Sequence, residues 1–279
     1  MLFRLFSLIL LLDLAVVAPV AQRLAVFEPQ DSAAVPGVAE SVRAELSKKI
    51  RILDPEMAEA AFRSVEIADH FNMSAEEAKR IGSVVGCDRF VLIKTRMQRR
   101  AAAEKPEHFE AYAVVYIVDS RTGLLIDWLL KSQEGRTIGI AETSLKADAS
   151  SLADSIAAKI LSMGPAAATL NFPEPPPERS PQAKEIKLPV PYKRIKPEYT
   201  STAFFYGIKA TVDIEADIDV DGSIKGTRIV RWAGYGLDQS VERAVRTMNW
   251  RPAMRDGKPL PMRVLLRYNF TKIERDEEP

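Results

Sequence analysis

The chain has few of the residues that build disulfides, metal sites or reactive centres. It contains one cysteine, Cys87, and two histidines, His70 and His108, among 279 residues. A single thiol excludes an internal disulfide. Neither histidine has a second His or a Cys at metal-ligand spacing, so no metal site is expected. Cys87 lies in an apolar run and is interpreted as a buried, inert core thiol.

Net charge and catalytic motifs are also missing. Thirty-nine basic and 38 acidic residues leave a formal charge of +1, which gives no electrostatic reason to expect nucleic-acid binding. There is no nucleophile-elbow motif, glycine-rich phosphate loop or dinucleotide fingerprint. Asp119 and Asp127 flank a Thr-Gly turn and are interpreted as solvent-facing. Trp128, Trp232 and Trp250 are interpreted as packing residues. No enzyme activity and no cofactor are expected.

Residues 1–21 have the pattern of a secretory signal peptide. A basic residue precedes an apolar stretch that ends in small residues, which predicts a mature chain beginning close to Gln22. Asp13 within the stretch and Pro19 near either cleavage point leave an uncleaved inner-membrane anchor as the alternative. A spanning helix needs ~17–25 apolar residues, so the segment is at the short end. No cysteine follows the stretch, which excludes a lipoprotein anchor.

Residues 22–163 alternate short strands with helices. Apolar periodicity, turn residues and helix-capping patterns delimit the elements. The strands are predicted at Leu24–Phe27, Ile50–Leu53, Arg89–Met97, His108–Ser120 and Leu124–Gly135, and the helices at Pro36–Ile50, from Asp54, from Ser74 and at Ser144–Met163. This pattern indicates an α/β sandwich of three layers or fewer.

Proline is concentrated in one segment. Nine of the 18 prolines fall between Pro165 and Pro197. Such a composition disfavours helix and central strand and favours extended polyproline II. Residues 164–195 are therefore predicted to be an unstructured linker between two independently folded domains. The linker is either a plain spacer or a semi-rigid arm that presents the last domain at a distance.

Residues 196–273 predict a small strand–strand–helix–strand domain, which makes the whole chain α+β. The first strand alternates from Val212 to Ile218, and the helix Leu237–Met248 has one apolar stripe. The final strand alternates from Met262 to Phe270. The middle strand does not keep one parity, which a β-bulge near Gly226 would repair.

These C-terminal residues resemble the C-terminal domain of TonB-family energy transducers. The resemblance rests on Pro197 and Tyr199 before the first strand, the Asp221-Gly222 hairpin, the "GLD" helix entry, the "W-x-P-A-x-x-D-G-x-P" link from Trp250 and the final "V-x-x-x-x-x-F". It implies a non-catalytic domain in the periplasm of a Gram-negative-type bacterium. It further implies that the final strand is a sheet edge, which accepts an extended segment of an outer-membrane transporter by strand addition.

A second resemblance covers the N-terminal part. The segments "LAVFEP", "AKRIGSVVGCDRFVLIKTRM" and "AVVYIVDSRTGLLIDW" are similar to CsgG-like and TolB N-terminal-like domains of bacterial envelope proteins. This resemblance also implies work within an envelope assembly.

Charge patterning predicts how the terminal strands pair. The outer face of the first strand carries Asp213, Glu215, Asp217 and Asp219 at period two, and the final strand carries arginines at matching spacing. Antiparallel neighbours would place each arginine across from carboxylates and so select the register. The outer backbone edge of the final strand is then the predicted partner-binding site, formed by Met262, Arg263, Val264, Leu265, Leu266, Arg267 and Tyr268.

One departure from the TonB pattern leaves a second function open. TonB-type transducers carry a Ser and a His in a transmembrane helix that engages a proton-driven motor. Ser7 is present here, but no histidine precedes His70. The alternative to a transducer is a periplasmic structural or assembly scaffold, in which the domain self-associates as a homodimer or makes adapter contacts without a motor.

Overall fold

The computed structural model describes residues 23–29, 33–102, 105–162 and 172–271. The predicted signal or anchor segment, residues 1–21, lies outside them. Within the described residues, none of the helices combines the length and apolar character that a membrane span requires. The structure is α+β, as the sequence predicts.

The N-terminal part is built on a four-stranded sheet in the order β1-β2-β3-β4. Strand β1 is parallel to β2, and the other pairs are antiparallel. The strands are β1 (Leu24–Phe27), β2 (Arg89–Ala102), β3 (Lys105–Asp119) and β4 (Leu125–Gly135). The helices are α1 (Val38–Ser47), α2 (Pro55–Arg63), α3 (Ala75–Val85), α4 (Ile138–Ala147) and α5 (Ala149–Leu161). Residues of α1, α4 and α5 form one hydrophobic core with one face of the sheet.

The helix starts predicted at Asp54 and Ser74 are confirmed. Asp54 accepts a hydrogen bond from the Met57 N–H at the start of α2. Ser74 and Glu77 form the expected capping box at the start of α3.

Cys87 is buried, and burial raises the pKa of its thiol, which disfavours the reactive thiolate.

Two element predictions in this part are wrong. The single helix expected at Ser144–Met163 is the end of α4 followed by α5, because the chain breaks at Asp148. Asp148 ends α4, where its N–H donates to the Leu145 carbonyl, and precedes α5, while its carboxylate accepts a hydrogen bond from Gln133 on β4. The strand expected at Ile50–Leu53 is reduced to one bridge between Ile52 and Leu24.

The C-terminal part is built on a three-stranded antiparallel sheet in the order β12-β7-β8, with a helix packed on it. Its elements are the short helix α7 (Ser201–Phe205), β7 (Ala210–Ile218), β8 (Ile224–Arg231), α8 (Leu237–Arg246) and β12 (Met262–Phe270). The predicted apolar stripe of α8 is buried. The predicted bulge lies at Lys225, beside Gly226, where the register of β7 and β8 shifts.

The proline-rich segment differs from the expected unstructured linker between Pro181 and Pro191. It forms α6 (Pro181–Glu185), β5 (Ile186–Lys187) and β6 (Val190–Pro191). Strand β5 pairs with β10 (Ala253–Arg255), which also pairs with β11 (Lys258–Leu260), and β6 pairs with β9 (Trp250–Arg251). Proline is compatible with such short edge pairings, because the N–H that it lacks would face away from the neighbouring strand and would make no ladder hydrogen bond.

The two sheets share one hydrophobic core. Aromatic side chains Tyr116 on β3 and Trp232 after β8 lie 5.4 Å apart between ring centroids, and both are fully buried. The Tyr116 hydroxyl donates to the Ala233 carbonyl, and the Trp232 indole donates to the Gly123 carbonyl. The C-terminal part therefore covers the second face of the N-terminal sheet, together with α2 and α3.

Candidate functional site

Strand β12 pairs with β7 along its whole length in the predicted antiparallel register. Arg263 lies across from Asp217, and Arg267 lies across from Asp213. Each guanidinium binds its carboxylate through two nitrogens. The distances are 2.7 and 3.0 Å for Arg263 and 2.7 and 2.9 Å for Arg267. Two bidentate pairs at this spacing fix the register of the terminal strand.

Arginines of the neighbouring strands shield the carboxylates of these ion pairs from solvent. Asp213 and Asp217 are buried, although they stand on the face opposite the α8 core. Arg228 binds Glu215, and Arg231 lies 3.4 Å from Asp213, so the arginines of β8 close the network from the other side. The hydrogen bond that the Arg263 guanidinium donates to the Asp217 carboxylate is the main reason that the pKa of Arg263 is raised.

The direction of the backbone groups of β12 follows from one hydrogen bond. The Arg263 N–H donates to the Pro173 carbonyl at 2.8 Å, so it points away from β7. In an antiparallel ladder the N–H and C=O of one residue point to the same side, and the side alternates along the strand. The backbone groups of Leu265, Arg267 and Asn269 therefore also point outward, and those of the intervening residues point toward β7.

The proline-rich segment covers two positions of this outward row, Arg263 and Arg267. Pro173 covers the Arg263 N–H, and the Arg194 guanidinium donates to the Arg267 carbonyl at 2.9 Å. Arg194 also lies over the Tyr268 ring, 5.0 Å from its centroid. Between them, the outward N–H of Leu265 has no protein partner among the described residues, and the Leu265 side chain is 58% exposed. Among the described residues, the predicted edge is thus covered at Arg263 and Arg267 and open at Leu265.

The side chains of the predicted site divide between the two faces of the sheet. Those directed to the α8 face, namely Met262, Val264, Leu266 and Tyr268, are buried or half-buried. On the opposite face, Arg263 and Arg267 hold the carboxylates, which leaves Leu265 as the apolar side chain exposed there. Sequence reasoning missed Pro173 and Arg194, because nothing in a proline-rich composition indicates which residue returns to the sheet.

The N-terminal part positions β7 and therefore the edge. The Asn72 side chain donates to the carbonyls of Thr211 and Trp232, both at 2.8 Å, and accepts from the Thr211 N–H at 2.9 Å. Thr211 in turn lies across from Asn269 at the end of β12. One amide side chain thus holds the start of the central strand of the C-terminal sheet.

The loop before α8 is held by a buried carboxyl group. Asp238 accepts hydrogen bonds from the N–H groups of Ala233 and Gly234, at 2.9 and 2.8 Å. Burial raises the pKa of Asp238 to about 7, against the effect of these two donors. Glycine is required at position 234, since its φ is +71° and a Cβ would lie 2.9 Å from the Tyr116 ring. This loop therefore belongs to the interdomain contact.

Comparison with known proteins agrees with this geometry in the C-terminal part. Residues 195–271 match the family described as "Gram-negative bacterial TonB protein C-terminal". The chain ends in a TonB-like domain. That domain contains β7, β8, α8 and β12, and therefore the edge.

Solved structures give weaker likenesses. The TonB C-terminal domain of Pseudomonas aeruginosa is 23% identical, with 33% of this chain and 90% of that chain covered and a TM-score of 0.27. Lipoprotein GNA1162 from Neisseria meningitidis is 16% identical, with 48% and 99% covered and a TM-score of 0.33. The LpoB C-terminal domain from Salmonella enterica is 13% identical, with 42% and 84% covered and a TM-score of 0.27. At these values none carries a functional argument.

No curated protein matches the chain. The resemblance of the N-terminal residues to CsgG-like and TolB N-terminal-like domains is not decided by the C-terminal match and stays a prediction. Within the residues that the structure describes, no three His, Cys, Asp or Glu side chains are grouped so as to hold a metal ion.

Proposed function

We propose that this protein binds an extended segment of an outer-membrane transporter in the periplasm, by strand addition at the outer edge of β12. The observation that carries the proposal is the outward row of backbone groups at Leu265, Arg267 and Asn269, in a domain that matches the TonB family. An added strand gains its affinity from main-chain hydrogen bonds and its selectivity from side-chain pockets.

Binding of a full-length strand competes with the proline-rich segment. A partner that pairs only around Leu265 meets no protein group there, whereas a longer one displaces Pro173 from the Arg263 N–H and Arg194 from the Arg267 carbonyl. Bidentate pairing to β7 keeps β12 in place while its outer side changes partner, because the arginine side chains do not use the outer backbone groups.

The test is crosslinking in intact cells from a photoreactive residue at position 269, which is exposed and lies on the same edge. In the variant Leu265→Pro the outward N–H is lost, so we expect capture of the partner to fail. Proline is tolerated on an edge strand when its missing N–H faces away from the ladder, so the domain still folds. The matched control Leu265→Ala removes the side chain and keeps the N–H, and its capture persists.

The identity of the crosslinked protein separates the two functions. An outer-membrane transporter supports strand capture for transport. A second copy of this chain, captured through the same position, would support the scaffold function instead. Undiminished capture in a folded Leu265→Pro protein would show that the outer edge of β12 does not bind the partner in either function.

A further inference from the structure

A small cavity lies at the junction of the two domains, apart from the β12 edge. It has a volume of about 150 Å³ and is lined from both sides of the junction. The N-terminal part contributes Phe71, Lys94, Arg96, Tyr112 and Tyr116, and the C-terminal part contributes Tyr206, Lys209 and Tyr235. The cavity therefore exists only when the two domains are docked.

The charge at this cavity is strongly one-sided. Lys94 and Arg96 are two residues apart on β2 and so lie on the same face of the strand, and Lys209 joins them from the C-terminal part. Among the described residues, none of these three cations forms an ion pair with a carboxylate. The lining has a single carboxylate, Asp69, which leaves a charge of +2.

Other cations at the same junction are neutralised. Arg100 binds Glu110 at 2.8 Å, and Arg231 lies 3.4 Å from both Glu77 and Asp213. Three like charges gathered without such partners repel one another, and the partly enclosed, aromatic surroundings screen them less than open water does. An anion would offset that repulsion.

The walls of the cavity are rigid and offer further polar groups. Tyr112 and Tyr116 are buried, and the Tyr116 hydroxyl is fixed on the Ala233 carbonyl. Asn72, also in the lining, uses its whole amide in bonds to the C-terminal part. Such a site is held in shape before a ligand arrives, which lowers the cost of binding.

We propose that this cavity binds a phosphate monoester group, with Lys94, Arg96 and Lys209 as its cationic ligands. A phosphate monoester carries about −1.5 to −2 charge at neutral pH, which balances the lining. Sites for whole small molecules measure about 300–1,000 Å³, so a cavity of this size takes the phosphate group and leaves the rest of the ligand outside. The guanidinium of Arg96 suits phosphate because it presents a planar fork of donors.

The experiment is titration of the full chain with sn-glycerol 3-phosphate at constant ionic strength, followed by NMR or calorimetry. We expect saturable binding. The charge reversal Lys209→Glu should weaken it at least tenfold, since it turns one cationic ligand into a carboxylate. Lys209 is exposed, so this change does not threaten folding. Arg136→Glu is the matched control, because it makes the same charge reversal at an exposed cation away from the cavity, and it should bind as the unaltered chain does.

A second measurement follows from the position of the cavity. A ligand that requires docked domains raises the midpoint temperature of unfolding as its concentration rises. Phosphate also stabilises proteins without a site, so the increment is compared with that of Lys94→Met/Lys209→Glu, in which only the unspecific part remains. The increment is counted from each variant's own midpoint without ligand, because Lys94→Met also removes the contact of Lys94 with the Phe71 ring, 4.9 Å from its centroid.

The source of the phosphate is decided by a parallel arm with vesicles. Binding to vesicles of phosphatidic acid and phosphatidylcholine, and not to phosphatidylcholine alone, with loss in Lys209→Glu, would assign a lipid headgroup. Binding of glycerol 3-phosphate without vesicle binding would assign a soluble ester. If neither probe binds, or if Lys209→Glu binds as well as the unaltered chain, the site does not exist.

Discussion

Arg263 and Asp217 face each other across β12 and β7 and form a bidentate ion pair, with Nε to Oδ1 at 2.7 Å and Nη2 to Oδ2 at 3.0 Å. The Arg263 and Asp217 side chains are only 11% and 10% exposed. The second pair of the same ladder is different, because the Arg267 side chain is 59% exposed. This contrast gives a direct test of how much each pair contributes.

We expect Arg263→Met to lower the free energy of unfolding by about 3 kcal/mol, because it leaves the Asp217 carboxylate buried without its bidentate partner. Arg267→Met should cost under about 1 kcal/mol, since that guanidinium is largely solvated and Asp213 keeps Arg231 nearby. Urea denaturation of the two variants compares them directly. Equal losses would show that burial does not distinguish the pairs.

Asn72→Ala should loosen the contact between the two domains. The Asn72 amide makes three hydrogen bonds to the C-terminal part, each worth about 0.5–1.5 kcal/mol, so a loss of about 2–3 kcal/mol is expected. Limited proteolysis should then cut faster near residue 211. Asn269→Ala is the control, since its exposed side chain bonds only to the Thr211 hydroxyl, and it should stay within about 0.5 kcal/mol. Unchanged proteolysis in Asn72→Ala would contradict the expectation.

Asp238 should make stability depend on pH. Burial in the fold raises the pKa of its carboxyl from the ordinary value of 3.8 to about 7. Between these values the folded protein holds a proton that the unfolded chain has released. The free energy of unfolding therefore falls as pH rises from about 4 to about 7, by a few kcal/mol at most. Above a pH of about 7, Asp238 is deprotonated in both states and adds no further pH dependence.

Denaturation of the unaltered chain and of Asp238→Asn across this pH range measures the effect. The Asn variant cannot titrate there, so the difference between the two curves should change with pH. In this variant an amide nitrogen, which cannot accept a hydrogen bond, replaces one carboxylate oxygen and faces the N–H of Ala233 or Gly234. We therefore expect Asp238→Asn to be less stable than the unaltered chain at every pH. A constant difference from pH 4 to 7 would mean that Asp238 keeps one protonation state.

Arg194→Ala should increase partner capture at the β12 edge, if the proposed function holds. The change frees the Arg267 carbonyl, and one exposed charged hydrogen bond of about 0.5–1 kcal/mol corresponds to a two- to fivefold gain in affinity. The measurement is crosslinking yield from position 269. Lys193→Ala, which removes the neighbouring exposed cation, is the control and should leave the yield unchanged. A decrease in Arg194→Ala would mean that Arg194 helps to hold the partner.

The sequence by itself determined the local elements and the pairing of the C-terminal strands. Period-two alternation in Val212–Ile218 and Met262–Phe270 assigned the faces, and the matched spacing of carboxylates and arginines selected the register. Capping residues placed the starts of α2 and α3, because the capping hydrogen bonds join residues only three positions apart in the sequence. Such signals are local or strictly periodic, so they can be recognised along the chain.

Only the tertiary structure decided how the two parts meet and what lies on the edge. The docking of Tyr116 and Asn72 onto the loop after β8, and the return of Pro173 and Arg194 to β12, join residues far apart in the sequence. They obey no period, because each depends on the shape of two surfaces that form only after the sheets have folded. Burial of Asp213 and Asp217 is a result of the same kind: alternation places both on the outer face, and the arginines of two neighbouring strands then cover them.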